Sequence, residues 1–196
     1  MVVTCSQLSN GHGAVLSLAI ESPTGAVFYR AQANMVSIPR SAKADAAPRL
    51  ALERWGSAPI YGDVLFHEND FQVIQGLDGV SDDGISGTLH GVCEAKWGWE
   101  QWNTDVAAMD GGLQLLLLWA RGKMGGAVLP MGIGEARVSM TEPPPGQIRC
   151  VARCRTESKH QGMADVVFLN DAGDLFAELN DVRLILRPGA STANVQ

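Results

Sequence analysis

"DVAAMDGGLQLLLLWARG", residues 105–122, decides the fold, because it reads as a helix that has to be buried. Leu113, Leu116, Leu117 and Ala120 recur at helical spacing, and Leu115, Leu118 and Trp119 fill much of the remaining circumference. A helix apolar on nearly every side is surrounded by protein. Thr104 or Asp105 is placed to cap its N-terminus. "RGKMGG" ends it, with basic residues in the last turn and glycines after.

Downstream the chain is strand-like. "AVLPMGIGEARVSM" (127–140) reads as one strand. "GQIRCVARCRTES" (146–158) reads as a second, alternating Ile148, Cys150, Ala152 and Cys154 with Arg149, Arg153 and Arg155. Residues 162–188 give two more strands about the turn "NDAG", and 189–196 read as a disordered tail. Upstream, Phe71, Val73 and Ile74 open a strand, "SDDG" (81–84) turns it, and Ile85, Thr88, Leu89 and Val92 lie on the return. "CEAKWGWEQWNTD" (93–105) then holds three of the five tryptophans and reads as cover for an apolar mouth. A hairpin, one buried helix and about four antiparallel strands make an α+β fold, with a curled sheet wrapped on a long central helix. That is the hot-dog arrangement.

Residues 14–35 read as a separate N-terminal β-hairpin about the turn "SPTG", within a first segment, 1–36. An Ala-, Pro- and Ser-rich linker, 37–60, separates it from the body at 61–188, and 49–55 reads as a short helix within that linker. His12, in "NGHG", reads as a loop residue.

With 196 residues, 46% of them hydrophobic, the chain can bury a sizeable core. A net charge of −6 without any basic cluster argues against a nucleic-acid partner. No apolar run reaches the roughly 18–20 residues of a membrane span, and the N-terminus carries no signal-like segment. A cytoplasmic protein with no membrane contact is expected. Among four cysteines there is no CxxC pair, and Cys150 and Cys154 share a strand face, so they read as buried thiols rather than zinc ligands. No metal site is expected.

Two residues are out of keeping with the greasy helix. Asp110 and Gln114 are i and i+4, so they share a face, and the Gln114 amide can donate to the Asp110 carboxyl. Such a carboxyl can act as a general acid or hold a substrate hydroxyl. It can equally sit in the first turn to complement the macrodipole. Gly111 and Gly112 each cost about 1 kcal/mol relative to Ala in a helix. They make sense where something approaches the backbone closely, such as a thioester carbonyl near the helix N-terminus.

"YGDVLFHENDFQVI" (61–74), "WNTDVAAMDGGLQLLLLW" (102–119) and "LPMGIGEARV" (129–138) together resemble the C-terminal half of a polyketide-synthase-type dehydratase domain. The similarity runs over about residues 14–188, and its flavour is closest to iterative synthases, including polyunsaturated-fatty-acid and enediyne types. A (Y/H)GPxFQ-like loop corresponds to His67 through Gln72, a D-x-x-x-Q/H motif to Asp110 through Gln114, and an LP segment to Leu129-Pro130. The resemblance implies a double hot dog and a lyase reaction, dehydration of 3-hydroxyacyl thioesters. It implies no cofactor beyond the phosphopantetheine of an acyl carrier protein. By resemblance Asp110 acts on the departing 3-hydroxyl with Gln114 as its partner. Phe71, Gly111, Gly112, Leu113, Leu117, Leu129 and Pro130 would line the substrate site. Other synthase domains and the carrier protein are the implied partners. A homodimer, or docking on a neighbouring domain, is expected because a curled sheet leaves an edge open.

The family's base is a histidine in an HxxxGxxxxP motif, and no such motif is present. Its HP dipeptide before the aspartate is here Asp105-Val106, and the Gly-Pro of its loop is Glu68-Asn69. The hairpin at 14–35 resembles only the last two strands of a first hot dog. Three explanations stay open: the histidine comes from another polypeptide, the domain is a non-catalytic pseudo-dehydratase, or His67 serves as base. A hot-dog thioesterase or a product-template-like domain is the alternative function.

Overall fold

The leucine-rich stretch is the only α-helix among the described residues, and the sheet curls around it. In the computed structural model the described residues are 1–10, 13–34, 47–56, 58–62, 65–98, 102–138 and 142–187. His12, residues 37–46 of the expected linker, Trp99 and the expected tail at 189–196 lie outside them. The chain divides into two units, Met1–Pro39 and Arg40–Gln196.

The first unit is a three-stranded antiparallel meander rather than a hairpin. Strands β1 (Val2–Asn10), β2 (Gly13–Glu21) and β3 (Val27–Asn34) pair in sequence order. The expected hairpin is β2 and β3; β1 is additional, and Cys5 sits opposite Leu18 on it. The alternating "VVTCSQL" has β-branched residues but too little apolar content to announce a strand. The β2–β3 turn is held by Ser22, whose Oγ accepts from Ala26 N at 3.0 Å, and Gly25 takes the left-handed φ of +85° that the turn requires.

The second unit contains β4 (Ile74–Ser81), β5 (Gly84–His90), α1 (Val106–Met124), β6 (Val128–Gly132), β7 (Glu135–Val138), β8 (Gln147–Ser158), β9 (Gln161–Leu169) and β10 (Leu175–Leu186). Its seven strands run antiparallel in the order β4-β5-β8-β9-β10-β6, with β7 also on β10. The stretch expected as one strand at 127–140 is therefore two. β6 pairs with the end of β10 and β7 with its beginning, and Gly134 N bonds Asn180 O between them. Glycines at 132 and 134 allow that break.

The helix lies on one face of the sheet. Leu115, Leu116, Trp119 and the facing Phe168 are essentially inaccessible, and each contributes about 1.5–3 kcal/mol by burial. Asp105 is the N-cap and accepts from Ala108 N at 2.8 Å; Gly125, at φ +70°, closes the other end. The arginine side of β8 is exposed as the alternation predicts, except at Val151. No helix forms at 49–55. Residues 47–52 have no regular secondary structure, Ala47 and Leu50 cover Val151, Val167, Leu169 and Leu175, and Glu53 bridges Val80 on edge strand β4. The helical reading fails because the sheet offers apolar cover to Ala47 and Leu50 and a bridging partner to Glu53, so tertiary contacts override a weak local propensity. Among the described residues no helix is long and apolar enough to cross a membrane.

Candidate active site

The helix leaves one stripe half-exposed: Val106, Met109, Asp110, Leu113 and Leu117. Asp110 is thus in the second turn, not the first, and the macrodipole reading does not account for it. Its carboxylate is fixed from one side. Gln114 Nε2 donates to Asp110 Oδ2 at 2.7 Å and to the Phe71 carbonyl at 2.9 Å. Gln114 Oε1 accepts from the Tyr61 hydroxyl at 3.0 Å, and that hydroxyl accepts from Ile74 N at 2.6 Å. Every hydrogen-bonding group of the buried Gln114 amide is engaged, so the amide has one orientation. Among the described residues no second hydrogen bond is made to Asp110, which leaves one carboxylate oxygen available.

Tyr61 is the residue that reading the sequence passed over. It stands at the head of the quoted loop, "YGDVLFHENDFQVI", but a lone tyrosine before a glycine gives no sign that it closes a network. Burial, opposed by the Ile74 N–H and assisted by the Asp110 charge, pushes its hydroxyl up to about 12. The phenol therefore stays protonated and keeps donating to Gln114.

The loop carrying Phe71 is shaped by its own backbone. Asn69 adopts φ +51°, Phe71 N bonds Glu68 O, and Gln72 N bonds Asn69 O. Phe71 is accordingly in a short 3-10 turn, Asn69–Phe71, rather than at the start of β4. Its ring is exposed and packs edge-on to Trp97 at 5.1 Å. Trp97 Nε1 donates to Asp70 O, and Trp102 Nε1 donates to Trp97 O, both at 3.1 Å. Trp97 and, through it, Trp102 are thus tied to the loop whose Phe71 carbonyl accepts from Gln114.

His67 stacks on Phe66 at 4.7 Å, its carbonyl accepts from Gln72 Nε2, and its Nδ1 is buried without a hydrogen-bond partner. No hydrogen bond or ion pair joins a histidine side chain to Asp110 among the described residues. Leu113 and Leu117 share the half-exposed stripe with Asp110. Leu129 and Pro130 lie on edge strand β6, opposite Ile185 and Leu184, and no hydrogen bond ties them to the helix carboxylate.

Gly111 and Gly112 require a correction. Both are buried, facing the sheet. A Cβ at 111 would meet Leu89 and Val73 at 3.0 Å, and one at 112 would meet the Phe168 ring at 2.6 Å. Their small size seats the helix on the sheet; it does not open the backbone to a thioester. The capping residue Asp105 is fully buried, accepts from Val92 N at 3.1 Å as well as Ala108 N, and so ties the loop after β5 to the helix. Burial raises its pKa, against the lowering effect of these backbone N–H groups. Cys150 and Cys154 are buried, and burial pushes both thiols well above their usual range. Among the described residues no cluster of three His, Cys, Asp or Glu side chains could hold a metal.

Several solved domains share this fold. The dehydratase domain from the CurF module of the curacin polyketide synthase superposes with a TM-score of 0.70 at 13% identity, over 94% of this chain and 67% of that one. The dehydratase domain of the polyketide synthase PpsC from Mycobacterium tuberculosis gives 0.67 at 13%, over 94% and 68%. A trans-acyltransferase polyketide synthase enoyl-isomerase gives 0.64 at 13%, over 93% and 71%. The chain spans about two thirds of the length of these domains, and the likeness establishes the hot-dog-type fold. No curated protein matches the sequence. A family model described as "Polyketide synthase dehydratase N-terminal domain" matches residues 39–191. That description does not confirm the placement in a C-terminal half. The match takes in the curled sheet, the core helix and the Asp110–Gln114 pair alike, and the chain belongs to the polyketide synthase dehydratase family.

Proposed function

We propose that this domain handles 3-hydroxyacyl thioesters delivered on the phosphopantetheine of an acyl carrier protein, with Asp110 engaging the 3-hydroxyl. The observation that carries this reading is the Tyr61–Gln114–Asp110 relay, which ties one oxygen of a carboxylate on a half-exposed, largely apolar stripe to a fixed amide. In dehydration, a base takes the C2 proton, the C2–C3 double bond forms as the C3–O bond breaks, and the hydroxyl leaves as water with a proton given by Asp110 in its carboxylic-acid form, which leaves Asp110 as the carboxylate and the C2 proton on the base. Asp110 and a positioned base together supply that chemistry. Without the base the same site binds its ligand and does not turn it over.

A direct test compares 3-hydroxybutanoyl-pantetheine with butanoyl-pantetheine. Tighter binding of the hydroxylated thioester, lost in Asp110→Asn, is expected. Equal affinity for both, or enoyl formation that survives Asp110→Asn, refutes the reading. The place of His67 on the loop that Gln114 holds through the Phe71 carbonyl supports His67 as base over an external histidine. If so, His67→Ala abolishes enoyl absorbance and keeps the binding preference. Hydrolysis of the thioester instead of elimination would move the domain to the thioesterase or product-template alternative.

The same reading places the domain in the cytoplasm, within an iterative or polyunsaturated-fatty-acid type of synthase and beside other synthase domains. Edge strand β6 exposes Leu129 and Met131, which supports a homodimer or docking through that edge.

A further inference from the structure

The face of the sheet turned away from α1 carries a cavity of about 780 Å3, a size that suits a small molecule. Residues alternate faces along a strand, so Ile85, Leu89, Cys150 and Ala152 pack with the helix, while Ser86 of β5 and Arg149, Val151 and Arg153 of β8 stand on the other side. Residues 47–52 cross that side and form the cavity's opposite wall, because Ala47 and Leu50 pack on Val151 and Val167. A Cβ at Gly84, the β5 residue paired with Arg153, would lie 2.8 Å from Leu50 Cδ1. The strap therefore passes at the register of Arg153 and brings Arg49 to the same cavity.

Two carboxylates, Asp165 and Glu178, also line the cavity, and both are matched by arginines that do not. Glu178 Oε1 accepts from Arg137 Nη1 at 2.9 Å. Asp165 Oδ2 lies 3.7 Å from Arg155 Nη1, and its Oδ1 accepts from Asp181 N at 2.9 Å. Arg149 lies 3.5 Å from Asp78, which also accepts from the buried Ser86 hydroxyl at 2.6 Å. The side chains of Arg49 and Arg153 have neither an ion pair nor a hydrogen bond among the described residues. Two uncompensated guanidiniums, one from the strap and one from the sheet, thus converge on one cavity of a chain whose net charge is −6. Guanidinium forks match phosphate oxygens, and a phosphate monoester carries a charge of about −1.5 to −2 at neutral pH. We infer that this cavity binds an organic phosphate, with the phosphoryl group between Arg49 and Arg153 and the organic part against Ala47, Pro48 and Leu52. The sheet separates it from the helix that carries Asp110, so it is a second site and does not depend on the role of that carboxylate.

The test titrates phenyl phosphate, inorganic phosphate and hexaglutamate calorimetrically into the full chain at constant ionic strength. Phenyl phosphate should bind roughly tenfold tighter than inorganic phosphate, through burial of its ring. Arg49→Ala and Arg153→Ala should each weaken it about tenfold or more, since each removes charge-assisted hydrogen bonds. Both side chains are exposed and without partners, so the urea midpoints of these variants should match the native chain. Arg183→Ala removes an exposed arginine of β10 outside the cavity and should leave the affinity unchanged. Amide shifts on addition of phenyl phosphate should be confined to residues 47–52 and the facing parts of β5 and β8, a readout that needs no variant. Absence of phenyl phosphate binding, shifts elsewhere, or an affinity that survives both cavity variants or falls equally in Arg183→Ala overturns the inference. Binding of hexaglutamate without binding of phenyl phosphate also overturns it and assigns the cavity to an acidic protein segment.

Discussion

Two glycines of the same helix should respond to alanine with opposite sign. At Gly112 a methyl group would lie 2.6 Å from Phe168 Cζ, 2.7 Å from Cε1 and 3.3 Å from Val166 Cγ1. Phe168 is itself buried, with no room to retreat. Overpacking costs about 1–3 kcal/mol, and an approach this close to a buried ring belongs at the upper end, about 2–3 kcal/mol, while the gain in helix propensity is about 1 kcal/mol. A net loss on the order of 1–2 kcal/mol is expected for Gly112→Ala. At Gly122 nothing lies within 4 Å, so only the propensity gain applies, roughly 0.5 kcal/mol this near the helix end. Urea unfolding followed by tryptophan fluorescence reads the result cleanly, because all five tryptophans, 55, 97, 99, 102 and 119, belong to the second unit. With a slope of about 2 kcal/mol per molar, the midpoint should fall by roughly 0.5–1 M for Gly112→Ala and rise slightly for Gly122→Ala. A Gly112→Ala chain as stable as the native one would refute the packing account and restore the idea that the glycine keeps the backbone open.

Other outcomes follow from the same contacts. Tyr61→Phe removes the hydroxyl between Ile74 N and Gln114 Oε1, at a cost of about 1–3 kcal/mol, and loosens Asp110. It should weaken 3-hydroxyacyl binding together with the urea midpoint, whereas a thermal shift alone would leave Tyr61 a merely structural residue. Asp105 has a raised pKa, so the folded state holds its proton more tightly than the unfolded chain does. Stability from this group is therefore lost as pH rises from its unfolded value, about 4, through the folded one. Midpoints measured from pH 4 to 8 should shift in favour of Asp105→Asn as pH rises, and parallel curves would refute this. Cys5 is exposed while Cys150 and Cys154 are buried with raised pKa values, so a thiol reagent should label Cys5 in the native chain and reach the other two only on unfolding.

The helix and most of the strands are legible in the sequence because their signals are local. Helical spacing of leucines, alternation along β8 and turn residues at "SPTG", "SDDG" and "NDAG" act within a few positions. The Asp110–Gln114 pair is legible for the same reason, since i and i+4 neighbours meet on any helix. Val151 shows where locality ends. The alternation puts it outside with the arginines, yet it is buried, because Leu50, a hundred residues earlier, folds over it. The strap at 47–53 is read wrongly for the same cause: its conformation is set by the sheet it covers, not by its own propensities. Gly111 and Gly112 signal a close approach, but only the coordinates say that Leu89, Val73 and Phe168 are what approaches. Tyr61 is beyond any pattern, standing 53 positions from the amide it holds. The sequence by itself determined a buried helix, an antiparallel sheet and a carboxylate–amide pair. Which groups orient that pair, and what lies beyond it, only the tertiary structure decided, because hydrogen bonds and burial depend on distance in space rather than along the chain.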